Sequence, residues 1–233
     1  MRARAFAVPP GRRGADGRTF PYEAARALFL PADRRDEQVQ WTYGEAEADQ
    51  LLCPMGPLPA DLAESQRMDA DRLGRLLDVT GPAVLVTHSA GGPVGWLAAD
   101  ARPDLVVAIV AVEPAGPAFA SIPGMGSLDW GLTAAPITYA PPVAVPVERR
   151  AGMRIPALDG KPVVVVTGGA SAFADFAPQV VDFLRGAGAD AVRLHLPDHG
   201  VKGNGHGLIF EANSDETVRP VIDWIRGLEG MDA

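Results

Sequence analysis

The sequence predicts a single α/β domain in which a mostly parallel sheet is flanked by helices. Its short apolar runs are continuous, as in strands that are covered on both faces, and do not alternate with polar residues. These runs alternate along the chain with segments of helical periodicity, which favours parallel strands. The 233 residues are enough for one substantial domain with a preformed site. We therefore expect residues 1–233 to form one unit.

Each predicted element corresponds to one such run or periodic segment. The candidate strands are residues 5–8, 83–86, 105–112, 163–166 and 192–196. Helical spacing of apolar residues predicts helices over 62–77 and 176–184. The apolar stripe of the first of these helices consists of Leu62, Met68, Leu73, Leu76 and Leu77. The last helix is expected to follow Asn213, which forms a capping-box pattern with Glu216.

Two segments interrupt the alternation of strands and helices. Residues 11–59 contain apolar residues but no clear element. Residues 114–162 are rich in Pro, Gly and Ala, and a long insertion at a sheet edge is typical of a lid or binding loop. A mobile surface excursion is the alternative. Because apolar side chains avoid water, we expect Trp130, Leu132, Ile137 and Tyr139 to cover the site and contact the substrate.

Composition and charge exclude several classes of function. The chain carries 29 acidic and 21 basic residues, a formal net charge of −8, which disfavours nucleic acid as a partner. The lone Cys53 predicts neither an internal disulfide nor a metal site. The N-terminus lacks the apolar run of a signal peptide, and no apolar stretch reaches membrane-spanning length. We therefore expect a cytoplasmic chain, as given, with no membrane or nucleic-acid partner.

The stretch VLVTHSAGGPVGW, residues 84–96, has the pattern of a strand, a tight turn and a helix. A nucleophilic serine at such a turn needs small neighbours, and Ala90, Gly91 and Gly92 follow Ser89. The backbone N–H of Ala90 would then face the same space as the hydroxyl and could stabilise an oxyanion. Thr87 stands where the usual Gly-x-Ser-x-Gly pattern has its first glycine. A helix-capping serine is the alternative interpretation.

A serine nucleophile requires a histidine base. Of the four histidines, His88 lies inside the turn and His195 lies in a strand pattern, so both are expected to have packing or hydrogen-bonding roles. The loop PDHGVKGNGHG, between the last strand and the last helix, contains His199 and His206. This loop should reach the sheet edge at which the serine turn opens. His206, among glycines and next to the last helix, is the preferred base.

Two carboxylates could orient the base. Glu113 ends the apolar run VVAIVAVEP, whereas Asp175 follows the next strand in VVVVTGGASAFAD. Asp175 can be explained as a favourable charge at a helix N-terminus, and Glu113 as a solvated residue at a strand end. A Glu-Pro strand end has no comparable structural benefit, so the residues alone slightly favour Glu113.

The stretches THSAGGPVGWLAADARPDLVVAIVAVEP, WGLTAAPITYAPPV and LPDHGVKGNGHG together resemble the bacterial α/β-hydrolase esterases that use a Ser-Glu-His triad. In that family the acid follows strand 6, so the resemblance implies Ser89 as nucleophile, Glu113 as acid and His206 as base. The family also tolerates a threonine ahead of the nucleophile turn. The resemblance therefore raises Glu113 above Asp175.

The resemblance covers the chain from about residue 84 onward, and it implies a shortened N-terminus. Family members carry three further strands and an oxyanion loop before the strand that residues 5–14 resemble. The α/β-hydrolase fold is thus expected to be N-terminally shortened, with Ala90 as the one assignable oxyanion donor; the alternative is that residues 11–17 supply the second donor. A missing central strand would expose a sheet edge, which makes a homodimer possible.

The predicted function is that of a serine hydrolase, most specifically a carboxylesterase that cleaves a small ester through a covalent acyl-enzyme. No metal or organic cofactor is required for this chemistry. The alternative is a catalytically weak or silent hydrolase-like module that binds a ligand or partner through the same cleft. An intact triad favours the enzyme, whereas the missing oxyanion loop favours the module.

Overall fold

The computed structural model describes residues 22–52, 61–122, 125–144 and 152–228. The predicted strand at 5–8 and Cys53 lie outside these residues. The described strands are β1 (Ala83–His88), β2 (Val106–Val112), β3 (Ser121–Ile122), β4 (Gly126–Ser127), β5 (Pro162–Thr167) and β6 (Asp190–His195). The described α-helices are α1 (Tyr22–Phe29), α2 (Glu45–Leu52), α3 (Leu62–Thr80), α4 (Gly92–Ala101), α5 (Phe173–Ala187) and α6 (Ser214–Arg226).

The main described sheet has the strand order β1-β2-β5-β6, and all of its pairs are parallel. This confirms the predicted α/β class and four of the predicted strands. Strands β3 and β4 form a separate antiparallel pair within the irregular segment after β2. The central strands β2 and β5 are almost entirely buried, because helices cover both faces of the sheet, and this explains their continuous apolar sequence.

Alternate residues of β2 project into two core layers. Ile109 and Ala111 join the layer under α3, α4 and α5, which also contains Trp96. Val110 and Val112 join the opposite layer under α6. Successive side chains of β2 thus point to opposite faces of the sheet. Glu113, which follows β2, lies at the carboxyl edge of the sheet, between the two core layers.

Helices α1 and α2 lie in the segment for which the sequence predicted no element. Each is eight residues long, which leaves little length over which helical periodicity can be recognised. They pack together in a small separate core with Phe29, Trp41 and Leu52 at its centre. Their position matters for function because α1 borders the cavity next to Ser89.

The helix predicted over 62–77 is present as α3, and its predicted apolar stripe is buried only in part: Leu77 is 2% exposed and Leu73 packs against the core. Met68 and Leu76 are exposed, whereas the buried positions include Ala70 and Gly74. Small side chains on this face allow α3 to pack closely against α4. The pattern of large apolar residues therefore identified only part of the packed face, because Gln66, Ala70 and Gly74 lie on it as well.

The predicted capping box at the start of α6 is not formed. The side chain of Asn213 makes no capping hydrogen bond to α6. Instead it accepts a hydrogen bond from the amide of Asn204, with 2.6 Å between the nitrogen and the oxygen. The side chain that the local pattern assigned to the helix cap is thus hydrogen-bonded within the loop before α6. None of the described helices is long and apolar enough to span a membrane.

Candidate active site

Ser89 lies directly between β1 and α4 with a positive φ of 55°. A non-glycine residue in this conformation is strained, which is typical of a nucleophile held at a sharp strand-to-helix turn. Close packing around the turn also requires glycine at two positions of α4, Gly92 and Gly95. A Cβ atom on Gly92 would lie 2.7 Å from the Cβ of Pro114, and one on Gly95 would lie 3.1 Å from the methyl group of Thr87. Gly95 thus provides the space for Thr87 ahead of the turn.

The structure brings Ser89, His206 and Glu113 together at the carboxyl edge of the sheet. The Nε2 of His206 is 2.8 Å from the Oγ of Ser89. The Nδ1 of His206 is 3.4 Å from Oε2 of Glu113, which is long for a hydrogen bond. His206 is 1% exposed and Glu113 is fully buried. The order of groups is that of a nucleophile, a base and an orienting acid.

Glu113 follows β2 and is held by two other donors. The backbone N–H of Gly168 donates to Oε1 at 2.7 Å, and the hydroxyl of Ser171 donates to Oε2. Burial raises the pKa of Glu113 to about 8, and the hydrogen bonds from Ser171 and Gly168 act in the opposite direction. The competing candidate, Asp175, is exposed and pairs with Arg34. Glu113, and not Asp175, is therefore the carboxylate that lies beside His206.

Aromatic rings enclose the imidazole of His206. The ring of Phe173 stacks on it at 4.2 Å between centroids, and the ring of Phe29 lies 5.2 Å away in a tilted arrangement. Burial lowers the pKa of His206 to about 4, although the charge of Glu211 opposes this shift. The imidazole is therefore neutral at pH 7, which is the state that can accept a proton from Ser89.

The other three histidines have different surroundings. His88 lies 2.9 Å through its Nε2 from the backbone oxygen of His206, and because a carbonyl only accepts, His88 must donate there. This bond connects the serine turn to the histidine loop. His195 contacts the hydroxyl of Thr167 at 3.0 Å. His199 is exposed and borders a separate cavity beside α6.

A buried carboxylate that the sequence analysis did not identify holds the loop before His206. Glu211 is 2% exposed and accepts hydrogen bonds from the Nε2 of Gln38 at 2.8 Å and the Nδ2 of Asn204 at 2.9 Å. It also accepts from the backbone N–H of Gly205 at 3.0 Å. Gln38 donates in addition to the backbone oxygen of Phe29 at 2.8 Å. The sequence analysis did not find this cluster, because Gln38 and Glu211 are 173 positions apart and neither belongs to a motif that marks it as a partner.

The donor that the sequence predicts for an oxyanion is the backbone N–H of Ala90. The backbone N–H of Ala90 forms no hydrogen bond with a described residue. Helix α4 begins two residues later, so its N-terminus adds positive potential to the same space. The segment at 5–14, in which a family member would continue from its oxyanion loop, lies outside the described residues.

An apolar cavity of about 400 Å³ opens beside Ser89 and Ala90. Its described lining contains no charged side chain. The remaining lining residues are Ala24, Ala27 and Leu28 of α1, Ala115, Gly116, Ile122 and Met125 of the segment after β2, and Ala172, Phe173 and Phe176 around the start of α5. The cavity therefore suits a neutral, apolar group of a ligand bound beside Ser89.

The four residues predicted to contact the substrate are not among those that line this cavity. Trp130, Leu132, Ile137 and Tyr139 are all buried in the core layer that also contains Trp96. The hydroxyl of Tyr139 donates to the backbone oxygen of Trp130 at 2.9 Å. The apolar side chains of this segment are thus satisfied by the core, and we correct their assignment accordingly. Ile122 and Met125, from the same segment, border the cavity instead, so a lid over 114–162 stays a prediction.

Among the described residues, no group of three or more His, Cys, Asp or Glu side chains is placed to hold a metal ion.

No protein-family model matches the chain. It is 33% identical over 205 residues to a protein named probable secreted lipase phiG, from Fungal sp. (strain ATCC 74256). The alignment covers 78% of this chain and 56% of the relative, so the chain spans little more than half of the relative's length. Among solved structures, a novel bacterial esterase is similar with a TM-score of 0.56 and 22% identity, over 88% of this chain and 57% of that one.

Proposed function

Because the chain has the α/β-hydrolase fold, as its sequence predicted, we propose that it is a serine hydrolase that cleaves a small carboxylic ester through a covalent acyl-enzyme. The observation that carries the proposal is the 2.8 Å contact between the Oγ of Ser89 and the Nε2 of His206 at a strained turn. The likeness to a protein named as a lipase supports the choice of an ester. The relative's name calls it secreted, and a cytoplasmic location for this chain stays a prediction.

In the first half of the reaction, the Oγ of Ser89 attacks the carbonyl carbon while its proton passes to the Nε2 of His206. The carbonyl oxygen becomes an oxyanion, which the N–H of Ala90 and the N-terminus of α4 stabilise. When the tetrahedral intermediate collapses, the bond to the alcohol oxygen breaks and His206 returns the proton to that oxygen. Ser89 then carries the acyl group as an ester.

In the second half, His206 takes a proton from water and the resulting hydroxide attacks the acyl-enzyme. Collapse of this intermediate returns the proton to Ser89 and releases the carboxylic acid. Glu113, when ionised, accepts a hydrogen bond from the Nδ1 of His206 and stabilises the imidazolium in both halves. No metal or organic cofactor takes part in these steps.

A second candidate function is ligand binding with little or no turnover. Two observations favour it: the Glu113 to His206 contact of 3.4 Å is long, and Ala90 is the one oxyanion donor that we assign among the described residues. Loss of one of two such donors typically lowers kcat about 10² to 10³-fold. A weak hydrolase and a binding module would share the same cavity.

Labelling with a fluorophosphonate probe, together with turnover of p-nitrophenyl butyrate, tests the proposal. We expect the wild-type chain to be labelled and to hydrolyse the ester, and Ser89→Ala to lose both activities by several orders of magnitude while staying folded. Ser214→Ala, which removes a hydroxyl at the start of α6, is the matched control and should behave as wild type. Absence of labelling and turnover in a folded wild-type chain would favour the binding module, and unchanged turnover in Ser89→Ala would exclude the serine mechanism.

A further inference from the structure

A second, smaller cavity adjoins the nucleophile turn on the side of α3. Its volume is about 200 Å³, and it shares Ala90 and Met125 with the larger cavity that contains Ser89. It is also bordered by Gly91 and by three polar side chains, of which Gln66 is buried, Ser65 is half-buried and Asp69 pairs with Arg72 at 2.9 Å. A carbonyl group held with its oxygen at the N–H of Ala90 therefore has room for a substituent on either side, one in each cavity.

Gln66, on α3, presents its amide nitrogen as a donor in a fixed orientation. The residue is 3% exposed, and its Oε1 accepts hydrogen bonds from the backbone N–H groups of Ala134 at 2.8 Å and Ala135 at 3.1 Å. Because only the oxygen of an amide can accept from N–H groups, these contacts identify the atom near Ala134 and Ala135 as Oε1 and the other as Nε2. The Nε2, with its two N–H donors, must lie on the other side.

The Nε2 of Gln66 forms no hydrogen bond with the residues that the structure describes, and Gln66 lines the smaller cavity. Polar groups at buried positions are normally paired with protein, water or ligand. In the larger cavity, by contrast, the described side chains other than Ser89 are apolar. The two cavities thus differ in polarity, and the polar one contains a donor.

From this arrangement we infer that Gln66 determines substrate specificity. The substrate is an ester with one apolar arm in the larger cavity and a second arm that carries an acceptor oxygen, such as an ether or carbonyl oxygen, bound by the Nε2 of Gln66. This inference rests on the proposed ester hydrolysis, and it adds the chemical class of the second arm. Because Gln66 does not contact the reacting atoms, it acts on substrate choice and not on the chemical step.

The test compares two butyrate esters of nearly equal size, the 2-methoxyethyl ester and the n-butyl ester, in which an ether oxygen replaces a methylene group. The variant Gln66→Glu keeps an oxygen for Ala134 and Ala135 but replaces the amide donor with a carboxylate oxygen. We expect the ratio of kcat/KM for the ether ester to that for the butyl ester to fall about tenfold or more in Gln66→Glu. Gln179→Glu, the same change at an exposed position of α5, should leave the ratio unchanged.

The possible outcomes separate this inference from the proposed function. Turnover of both esters with the same ratio in wild type and in Gln66→Glu would overturn the inference but not the hydrolase. A wild-type chain that prefers the butyl ester by tenfold or more would also overturn it, even if the variant did not fold. A wild-type chain that hydrolyses neither these esters nor p-nitrophenyl butyrate would instead overturn the proposed function.

Discussion

The buried carboxylate of Glu211 tests how the loop that contains His206 is held. In Glu211→Gln the remaining oxygen can still accept from Gln38 and Gly205, but the new NH₂ group faces the Nδ2 of Asn204, which is also a donor. The variant therefore loses a charge-assisted hydrogen bond and leaves buried donors unpaired. At about 1.5–3 kcal/mol for the bond and about 1–3 kcal/mol for an unpaired donor, we expect the free energy of unfolding to fall by about 2.5–6 kcal/mol.

The reciprocal change offers a rescue. Asn204→Asp alone places a second carboxylate against Glu211 and should be destabilised to a similar extent. In the double variant, which combines Asn204→Asp with Glu211→Gln, the new carboxylate at position 204 can accept from the new amide at position 211. Donor and acceptor of the 204–211 pair are then exchanged and paired again, and the amide of Asn213, which accepts from Asn204 in the wild type, must turn its nitrogen toward position 204. We expect the double variant to recover about 2 kcal/mol or more relative to the sum of the two single changes.

Urea unfolding monitored by tryptophan fluorescence measures these free energies, and kcat/KM for p-nitrophenyl butyrate reports the effect on His206. Because the charge of Glu211 favours the protonated imidazole, we expect kcat/KM to fall in Glu211→Gln beyond any loss of folded protein. Glu216→Gln, at an exposed position of α6, is the control. The reasoning fails if both single variants stay within about 0.5 kcal/mol of wild type, or if the double variant shows no coupling.

Three further predictions concern the site and the sheet edge. Glu113→Gln should lower kcat/KM far more than Asp175→Asn, because an amide cannot stabilise an imidazolium; the reverse ranking would move the acid to Asp175. Burial raises the pKa of Glu113 to about 8, so kcat/KM should rise with pH to a plateau above that value, because the ionised carboxylate is the form that stabilises the imidazolium. Ser171→Ala removes a hydrogen bond that lowers this pKa, so the midpoint of the pH profile should move higher, and an unchanged midpoint would contradict the prediction. Val86, on β1 at an edge of the described sheet, is 64% exposed, and such an edge can pair with a second copy of the chain. Light scattering should therefore find a homodimer for the wild type and a monomer for Val86→Lys, and a monomeric wild type would contradict the prediction.

The sequence by itself determined the class of fold and the sites where chemistry could occur. The continuous apolar runs of β2 and β5 predicted buried parallel strands, and the small residues after Ser89 predicted a sharp turn, because both features depend on neighbouring residues in the chain. The α/β-hydrolase fold is confirmed by the likeness to a solved esterase. The roles of Ser89, Glu113 and His206 stay predictions, now with a geometry that supports them.

Other features depended on the tertiary structure. The apolar residues of the irregular segment 114–162 indicate that the segment will be buried, but they do not indicate which part of the protein it will pack against. Trp130 and Tyr139 were therefore assigned to the substrate, although they lie in the core. Likewise, the large residues of α3 indicated only part of its buried face, which also contains Gln66, whose side chain accepts hydrogen bonds from a distant loop.

The contact between Gln38 and Glu211 shows most clearly what local sequence cannot contain. Each residue alone is an ordinary polar residue, and only the folded chain removes both from water and obliges them to pair. Patterns of a few residues determine strands, turns and the chemical groups at their ends. The tertiary structure decides which of those groups come into contact, because it brings together elements that are far apart in the chain. A buried polar group can then pair only with the groups that pack beside it.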